Sequence, residues 1–592
     1  MKIVWISMLG FVLWASCLNG PVFAQETMGS IAFQGNRGLP TKILKTMMGT
    51  RAKPWYGFLP WAKTPRFDLG VFTDDLKRIR TFYQDQGYHE VTLDSSLTRI
   101  SNRVRVLIQI EEGPLTLVQH AEVVGLHDVL QSVQKTILQK GNELIGQPLV
   151  RQEVIKQTDF MVRQLKDHGY AFAKTSVDFQ IEHAKAHIVF TVLPGPVCRI
   201  DSIQVVGNEK IATPTVLRGV TFHNGDLFSD TKLRDSQRQL YRAGVFRSVA
   251  LGIPDSVEAV TPVTVVLRVA ERPFRSLKFG GGYDTDEAFR IFAEWAHRNF
   301  WGDARQVKLS GKWSGRGREA VVGLRQPYFF GSRNWLTIGG SLLRNRRANF
   351  EQDEISGNAT LERNLGQNSH LVFQLSGGLI DFKADSAFTD YRTTFLIDTR
   401  DDVFDPTLGV LAQLAVRQRG RLFQSDAEFI QLTAEGRWFL PLPFDSVLGL
   451  RSQAGVIFEI GSPGQVPSIE RFFAGGMNSV RGWALDDLGP RVYSENARDY
   501  IPVGGLSKWV GGAELRTRWG AYWGTAFFLD VGKVGNNAGD LLPTDLGWAA
   551  GGGVRFFTPV GPLRIDVGYR LSEDDLRVLN RWHYFISLGQ AF

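Results

Sequence analysis

The 592-residue chain carries 68 Lys plus Arg against 60 Asp plus Glu, and the +8 surplus is too small and dispersed for a nucleic-acid footprint. A hydrophobic content of 43% and a mean hydropathy of −0.12 exclude a polytopic helical membrane protein, but not a β-barrel whose polar lumen offsets an apolar exterior. Glycine divides the chain in two: 42 of 62 fall in the last 318 positions and 20 in the first 274, while 11 of 15 tryptophans lie from Trp295 onward. Residues 1–24 read as a secretory signal, with an early charge at Lys2, an apolar stretch over 3–15, and cleavage expected after Ala24. Lipoprotein processing at Cys17 is the alternative, disfavoured by Trp14, and the apolar stretch is too short for a retained anchor. Cleavage leaves Cys198 alone, so no internal disulfide is expected.

Three repeats follow, expected at 27–113, 114–196 and 197–273. Each opens with a strand ending in glycine, at Gly35, Gly125 and Gly207, spaced 90 and 82 residues apart. Each continues through two helical patterns to a second glycine, at Gly87, Gly169 and Gly244, where a helix C-terminus needs a residue that tolerates positive φ. Alternating strands at 104–110, 187–193 and 263–270 then run into Gly113-Pro114, Gly195-Pro196 and Arg272-Pro273. This length is too great for a solenoid unit and fits a small β-α-α-β-β domain. In the third unit Ser229 is placed to cap a helix whose Leu233, Gln237, Leu240 and Tyr241 share a core face.

From about 275 to 592 the helical period disappears, and short strands alternate with Gly, Asn, Asp and Pro. In 563–571, Leu563, Ile565, Val567, Tyr569 and Leu571 share one parity, and Arg564, Asp566, Gly568 and Arg570 the other. The C-terminus repeats the pattern with Trp582, Tyr584, Ile586, Leu588 and Phe592. Lipid outside and water inside explain this division, and 318 residues at about 20 per strand and loop predict an all-β transmembrane barrel of roughly 16 antiparallel strands. The seam between first and last strands would bring Gly280, Gly281 and Gly282 towards Phe592. Three glycines give up packing and backbone restraint, which suits either a gate or a barrel corner or bulge.

The most distinctive text is 471–483, which ends in Val480-Arg481-Gly482-Trp483. An arginine in a Gly-rich loop is ordinarily a solvated charge. A second element changes that reading: Phe528-Leu529-Asp530-Val531-Gly532 puts Asp530 on the lumen parity, as Glu514, Arg516 and Arg518 are on the preceding strand. Arg481 on a loop folded into the lumen is expected to pair there with Asp530, in low hydration. With Asp398-Thr399-Arg400-Asp401 leading to Pro406 and Gly409, and the run 558–566, these motifs in order behind three repeats resemble the superfamily of POTRA-domain outer-membrane barrels. The resemblance runs from about residue 27 to the C-terminus and implies α+β POTRA-like repeats ahead of the barrel. The family often has Tyr or Phe where Trp483 stands. Repeat number and length are most similar to the TamA-like branch, the outer-membrane subunit of a translocation and assembly module.

The resemblance implies that Arg481 sits at the tip of an inward loop and that Asp530, beside Phe528 and Gly532, receives it. It implies a Gram-negative outer membrane with the repeats in the periplasm. The partners implied are the lipid bilayer, unfolded outer-membrane or autotransporter clients, and a TamB-like partner anchored in the inner membrane. No cofactor, metal or nucleic acid is implied. The function expected is an insertase that helps β-barrel clients through strand addition to exposed repeat edges and to the barrel seam; the alternative is a two-partner-type pore for a dedicated secreted protein. An enzyme has no support: G-x-S-x-G, H-E-x-x-H and Walker-type loops are absent from the sequence, and the acidic pairs Asp401-Asp402 and Asp486-Asp487 read as solvated or lumen charges.

Overall fold

A computed structural model describes residues 26–51, 65–254, 262–347, 350–382, 384–403, 405–420, 425, 427–460, 466–495, 498–541, 545–558, 561–572 and 581–588. The expected signal segment 1–24 and Phe592 lie outside the described residues. The chain forms POTRA-like α/β repeats followed by a closed barrel of sixteen antiparallel strands. It divides into two compact units, one holding the first two repeats with 224–231 and 254–264, the other holding most of the third repeat with the barrel.

Each repeat is a three-stranded sheet whose last strand lies in the middle. Thr27–Gln34 pairs in parallel with Arg103–Glu111, which pairs antiparallel with Thr92–Ile100. The second repeat does the same with Leu117–Val124, Lys185–Leu193 and Lys174–Glu182. The third orders Ile200–Val206, Val263–Glu271 and Phe246–Gly252 alike. The central strand explains the arrangement: Val104, Val106, Ile108 and Ile110 alternate into a core closed by Phe72, Ile79 and Tyr83 of the helix Leu69–Asp85, each large side chain contributing about 1.5–3 kcal/mol. Ala186, Ile188, Phe190 and Val192 do the same against Ile137, Met161 and Leu165.

The strand-ending glycines have one physical cause. Gly35, Gly125 and Gly207 all have φ near +90°, and a Cβ at any of them would stand 2.1 Å from a carbonyl oxygen of the central strand, that of Ile110, Val192 or Val269. In the first and third repeats the next residue fixes the turn: Asn36 Nδ2 donates to Leu39 O and Thr41 Oγ1, and Asn208 Nδ2 to Ile211 O and Thr213 Oγ1. Consecutive repeats join by the same bond, Thr116 N–H to Gly87 O at 2.9 Å and Cys198 N–H to Gly169 O at 2.8 Å.

One local expectation needs correction. In the helix Asp230–Arg242 the buried residues are Leu233, Ser236, Gln239 and Leu240, whereas Tyr241 is 55% exposed, because it lies 100° round the helix from Leu240. The first turn of that helix is served by Asp167 of the preceding repeat, which accepts from Ser229 Oγ at 3.1 Å and from Thr231 N and Oγ1 at 2.7 Å each.

The barrel strands alternate as the sequence requires. Ile565, Trp582, Tyr584 and Ile586 are exposed on the outer face, while Asp566 is fully buried inside and Arg570 is 3% exposed. Among the described residues no helix is long and apolar enough to cross a membrane. The motif after Asp398 is a turn: Arg400 bonds both Asp398 oxygens at 2.9 and 2.8 Å, and Gly409, at φ +112°, leaves no room for a Cβ beside Thr399 O. The third repeat meets the barrel turns through Asp303, which accepts from Thr215 Oγ1 at 2.7 Å and pairs with Arg218 at 2.9 Å.

Gly125→Ala is expected to destabilise its repeat by roughly 2–4 kcal/mol, through both the positive φ and the carbonyl clash. Gly146→Ala, at φ +80° with open space around it, is expected to cost only about 1 kcal/mol. Thermal unfolding of the two variants checks the difference; equal midpoints would show that the carbonyl contact is irrelevant.

Candidate functional site

The long connection between the strands Ser446–Glu459 and Ser507–Trp519 carries a short ribbon, Arg491–Ser494 with Asp499–Pro502, and its first half folds into the lumen. Val480, Arg481 and Trp483 are 0%, 3% and 3% exposed. The Arg481 guanidinium meets Asp530 with Nε at 2.7 Å and a terminal nitrogen at 3.1 Å, and Arg481 N–H adds a third bond to the same carboxylate at 3.2 Å. Its other terminal nitrogen reaches Glu514 at 2.5 Å and lies 3.5 Å from Asp566. The Phe528 ring lies 3.4 Å from the guanidinium carbon and covers its face.

The wall is shaped to receive the loop. A Cβ at Gly568 would fall 1.7 Å from Arg481 O, one at Gly532 2.8 Å from Val480, and one at Gly547 2.7 Å from Trp483. Gly482 is itself constrained, since a Cβ there would meet Ala549 at 2.6 Å. Arg570 donates to Gly482 O at 3.1 Å and lies 4.8 Å from the Trp483 ring. The structure therefore brings together Val480, Arg481, Gly482, Trp483, Phe528, Asp530, Gly532 and Glu514. Of the other two lumen-parity residues, Arg516 bonds Pro406 O at 2.7 Å and Arg518 covers Phe557.

Several participants were not singled out in the sequence. Asp566 holds Arg555 and Arg564, and Arg451 bridges Asp530 at 3.2 Å to the loop carbonyls of Asn478 and Ser479. Two further anchors hold the loop elsewhere. Glu470 and Asp390 share Arg417 and Arg419, and Asp486 pairs with Arg316 at 3.2 Å and Arg347 at 3.7 Å. The signal available was lumen parity in each strand, but parity alone does not say which wall the loop meets.

The loop also spans the seam from inside. Asp286, just after the first barrel strand, accepts from Met477 N at 2.9 Å, while Arg570 and Gly568, on the penultimate strand, hold residues 481–482. Burial pushes the Asp286 carboxyl above its ordinary range, against the lowering effect of that hydrogen bond. At the seam itself, the first strand Arg275–Asp284 pairs with its neighbour through ten consecutive partners and no register shift. The bulge alternative does not hold for that ladder. Among the described residues it pairs with the last strand, Trp582–Leu588, through Tyr283–Leu588 and Asp284–Ser587, and the next residue, Thr285, donates its N–H to Ile586 O at 3.2 Å. Gly280 has a packing cause, because a Cβ there would stand 2.2 Å from the Phe292 ring; Gly281 has no close neighbour of that kind.

Family models match on both halves, the Omp85 superfamily domain over 299–592 and the POTRA surface-antigen repeat over 27–113 and 198–272. The chain belongs to the Omp85 superfamily of POTRA-domain barrels. The middle repeat of this Omp85 chain, outside the matched ranges, has the same strand order as its neighbours. The chain is similar to the outer membrane protein assembly factor BamA of Neisseria meningitidis, at 22% identity over 95% of this chain and 78% of that protein. It is also similar to BamA of Nitratidesulfovibrio vulgaris, at 26% over 72% of this chain and 56% of the relative. Haemophilus ducreyi BamA lacking POTRA domains 1–3 shares the fold at TM-score 0.59 and 18% identity, covering 80% of this chain and 99% of that one. CdiB from Acinetobacter baumannii does so at TM-score 0.50 and 13% identity, covering 81% and 90%.

Arg481→Ala leaves Asp530 and Asp566 buried with fewer partners, and removal of one member of a buried ion pair costs about 3–5 kcal/mol. The expected result is a loop at 466–495 that becomes open to protease while the barrel keeps its heat-modifiable gel migration. Arg481→Lys is expected to behave nearly as badly, since an ammonium cannot span Asp530 and Glu514 together. Unchanged cleavage in both variants would mean that the loop is held by its other anchors alone.

Proposed function

We propose that this Omp85 protein is a non-enzymatic assembly factor that helps β-barrel clients, autotransporter-like ones included, enter the outer membrane. The observation that carries this reading is the seam. Two residue pairs and the Thr285 N–H to Ile586 O bond close the described part of the barrel, and at about 0.5–1.5 kcal/mol net per hydrogen bond they part for a few kcal/mol, less than the other ladders over the described residues. A client strand adding there replaces the lost bonds with its own backbone groups, so no nucleotide is needed. The named relatives that are assembly factors support the same reading.

The repeats then lie in the periplasm, after removal of 1–24, and offer the edge strands Thr92–Ile100, Lys174–Glu182 and Phe246–Gly252 to unfolded clients. Three repeats fit a TamA-like role with a TamB-like inner-membrane partner. Val480, Arg481, Gly482 and Trp483 act by bracing the wall beside the seam through Asp530, Phe528 and Gly532, and Gly280, Gly281 and Gly282 form the pliable strand next to it. The alternative, a pore for one secreted protein, requires an open lumen, and here residues 466–495 cross the lumen and bind its walls.

Cysteines at the registered positions Tyr283 and Leu588 test the seam. Oxidation of Tyr283→Cys/Leu588→Cys is expected to reduce outer-membrane levels of barrel clients to those of depleted cells, and a reductant to restore them. Normal client levels with the seam locked would overturn the insertase reading, and ion conductance with one exported client would favour the pore.

A further inference from the structure

The lumen contains a second polar feature away from the Arg481 contacts. On the wall made by Phe350–Asn364, Ser369–Phe382 and Ala384–Asp398, inward-facing residues line a recess of about 310 Å³. Four of them form a compact lattice. Arg392 is registered opposite Gln374, and Ser376, two residues along from Gln374, is registered opposite Asn358. None of these four side chains hydrogen-bonds or ion-pairs with any described residue.

The neighbouring charges do not account for Arg392. Asp390 and Glu470 border the same recess, but Arg417 takes them at 2.7 and 2.6 Å and Arg419 takes Asp390 at 2.8 Å, so two carboxylates and two guanidiniums neutralise one another. Glu354, also lining the recess, accepts from Gln352 at 3.0 Å and makes no ion pair with Arg392. Arg392 therefore remains a permanent cation with five N–H donors, facing two amides and a hydroxyl that can also donate. An apolar ligand would strip water from all four groups without replacing it. An oxyanion satisfies them, because a planar guanidinium binds carboxylate or phosphate oxygens in pairs.

We propose that Arg392, Gln374, Ser376 and Asn358 form an oxyanion-binding site on the lumen wall. Its ligand is a carboxylate or phosphate group, from an acidic residue of a polypeptide in the lumen or from free inorganic phosphate. The site follows from side-chain placement and does not rest on the assembly reading.

The test uses the full chain folded in detergent micelles, with saturation-transfer NMR to an N-acetylated, C-amidated Gly-Asp-Gly peptide and phosphorus relaxation of inorganic phosphate. Arg392→Gln is expected to weaken peptide binding by about tenfold or more, the usual effect of losing a charged hydrogen bond. Arg318→Gln is the charge control, since Arg318 is exposed on the barrel face that carries the exposed Trp313, its register partner, and it is expected to change nothing. Phosphate that displaces the peptide identifies a general oxyanion site; peptide binding that phosphate leaves intact identifies a site for polypeptide carboxylates. Failure of both probes to bind the wild type, equal binding by Arg392→Gln, or an equal loss in Arg318→Gln overturns the proposal. Heat-modifiable migration reports folding, and if Arg392→Gln does not fold, the double variant Gln374→Leu/Ser376→Ala takes its place with the same expected loss.

Discussion

The barrel is organised around one guanidinium. Arg481 enters a lumen wall where Asp530 and Asp566 are fully buried, and burying a carboxylate is costly unless cations are placed against it, as they are here. Attraction between such charges barely exceeds the cost of removing them from water, so the cluster is poor as a source of stability and strong as a source of specificity. Bidentate geometry, the Phe528 face and the absence of a Cβ at Gly568, Gly532 and Gly547 all select one position for the loop. The same loop is tied elsewhere through Glu470, Asp486 and the Met477 N–H on Asp286.

This arrangement separates two jobs that a closed sheet usually combines. In most barrels the hydrogen-bonded ladder both closes the wall and sets its shape. Here the closing ladder is short over the described residues, and residues on both sides of it are bound to the same internal loop. Over the described residues, shape is therefore held from within as well as by the ladder. The repeats use a different economy: one glycine conformation, set by one carbonyl of the central strand, recurs three times and lets the chain leave the sheet edge at the same angle each time.

The fold was legible in the sequence because it depends on periodicity. Alternation at 563–571 separates Ile565 from Asp566, and the spaced glycines Gly35, Gly125 and Gly207 mark three units. The heart of the site was legible for a related reason: a lone Arg in a Gly-rich loop and a lone Asp on a lumen parity are each costly unless paired, so Arg481 and Asp530 point to each other. Tyr241 was misread because neighbouring positions on a helix do not share a face, and it lies outside the packed one.

By itself the sequence determined the repeats, the barrel with its inner and outer faces, and the residues that need a buried partner. Those are properties of local pattern and of the cost of isolated charge. Only the tertiary structure decided that Arg481 is shared among Asp530, Glu514 and Asp566, that Glu470 and Asp486 tie the same loop to other walls, and that Arg392 shares a recess with Gln374, Ser376 and Asn358. The reason is geometric: strand parity says whether a side chain points inward, but barrel closure and register decide which residues, 49 or 191 positions apart, lie within 3 Å of each other.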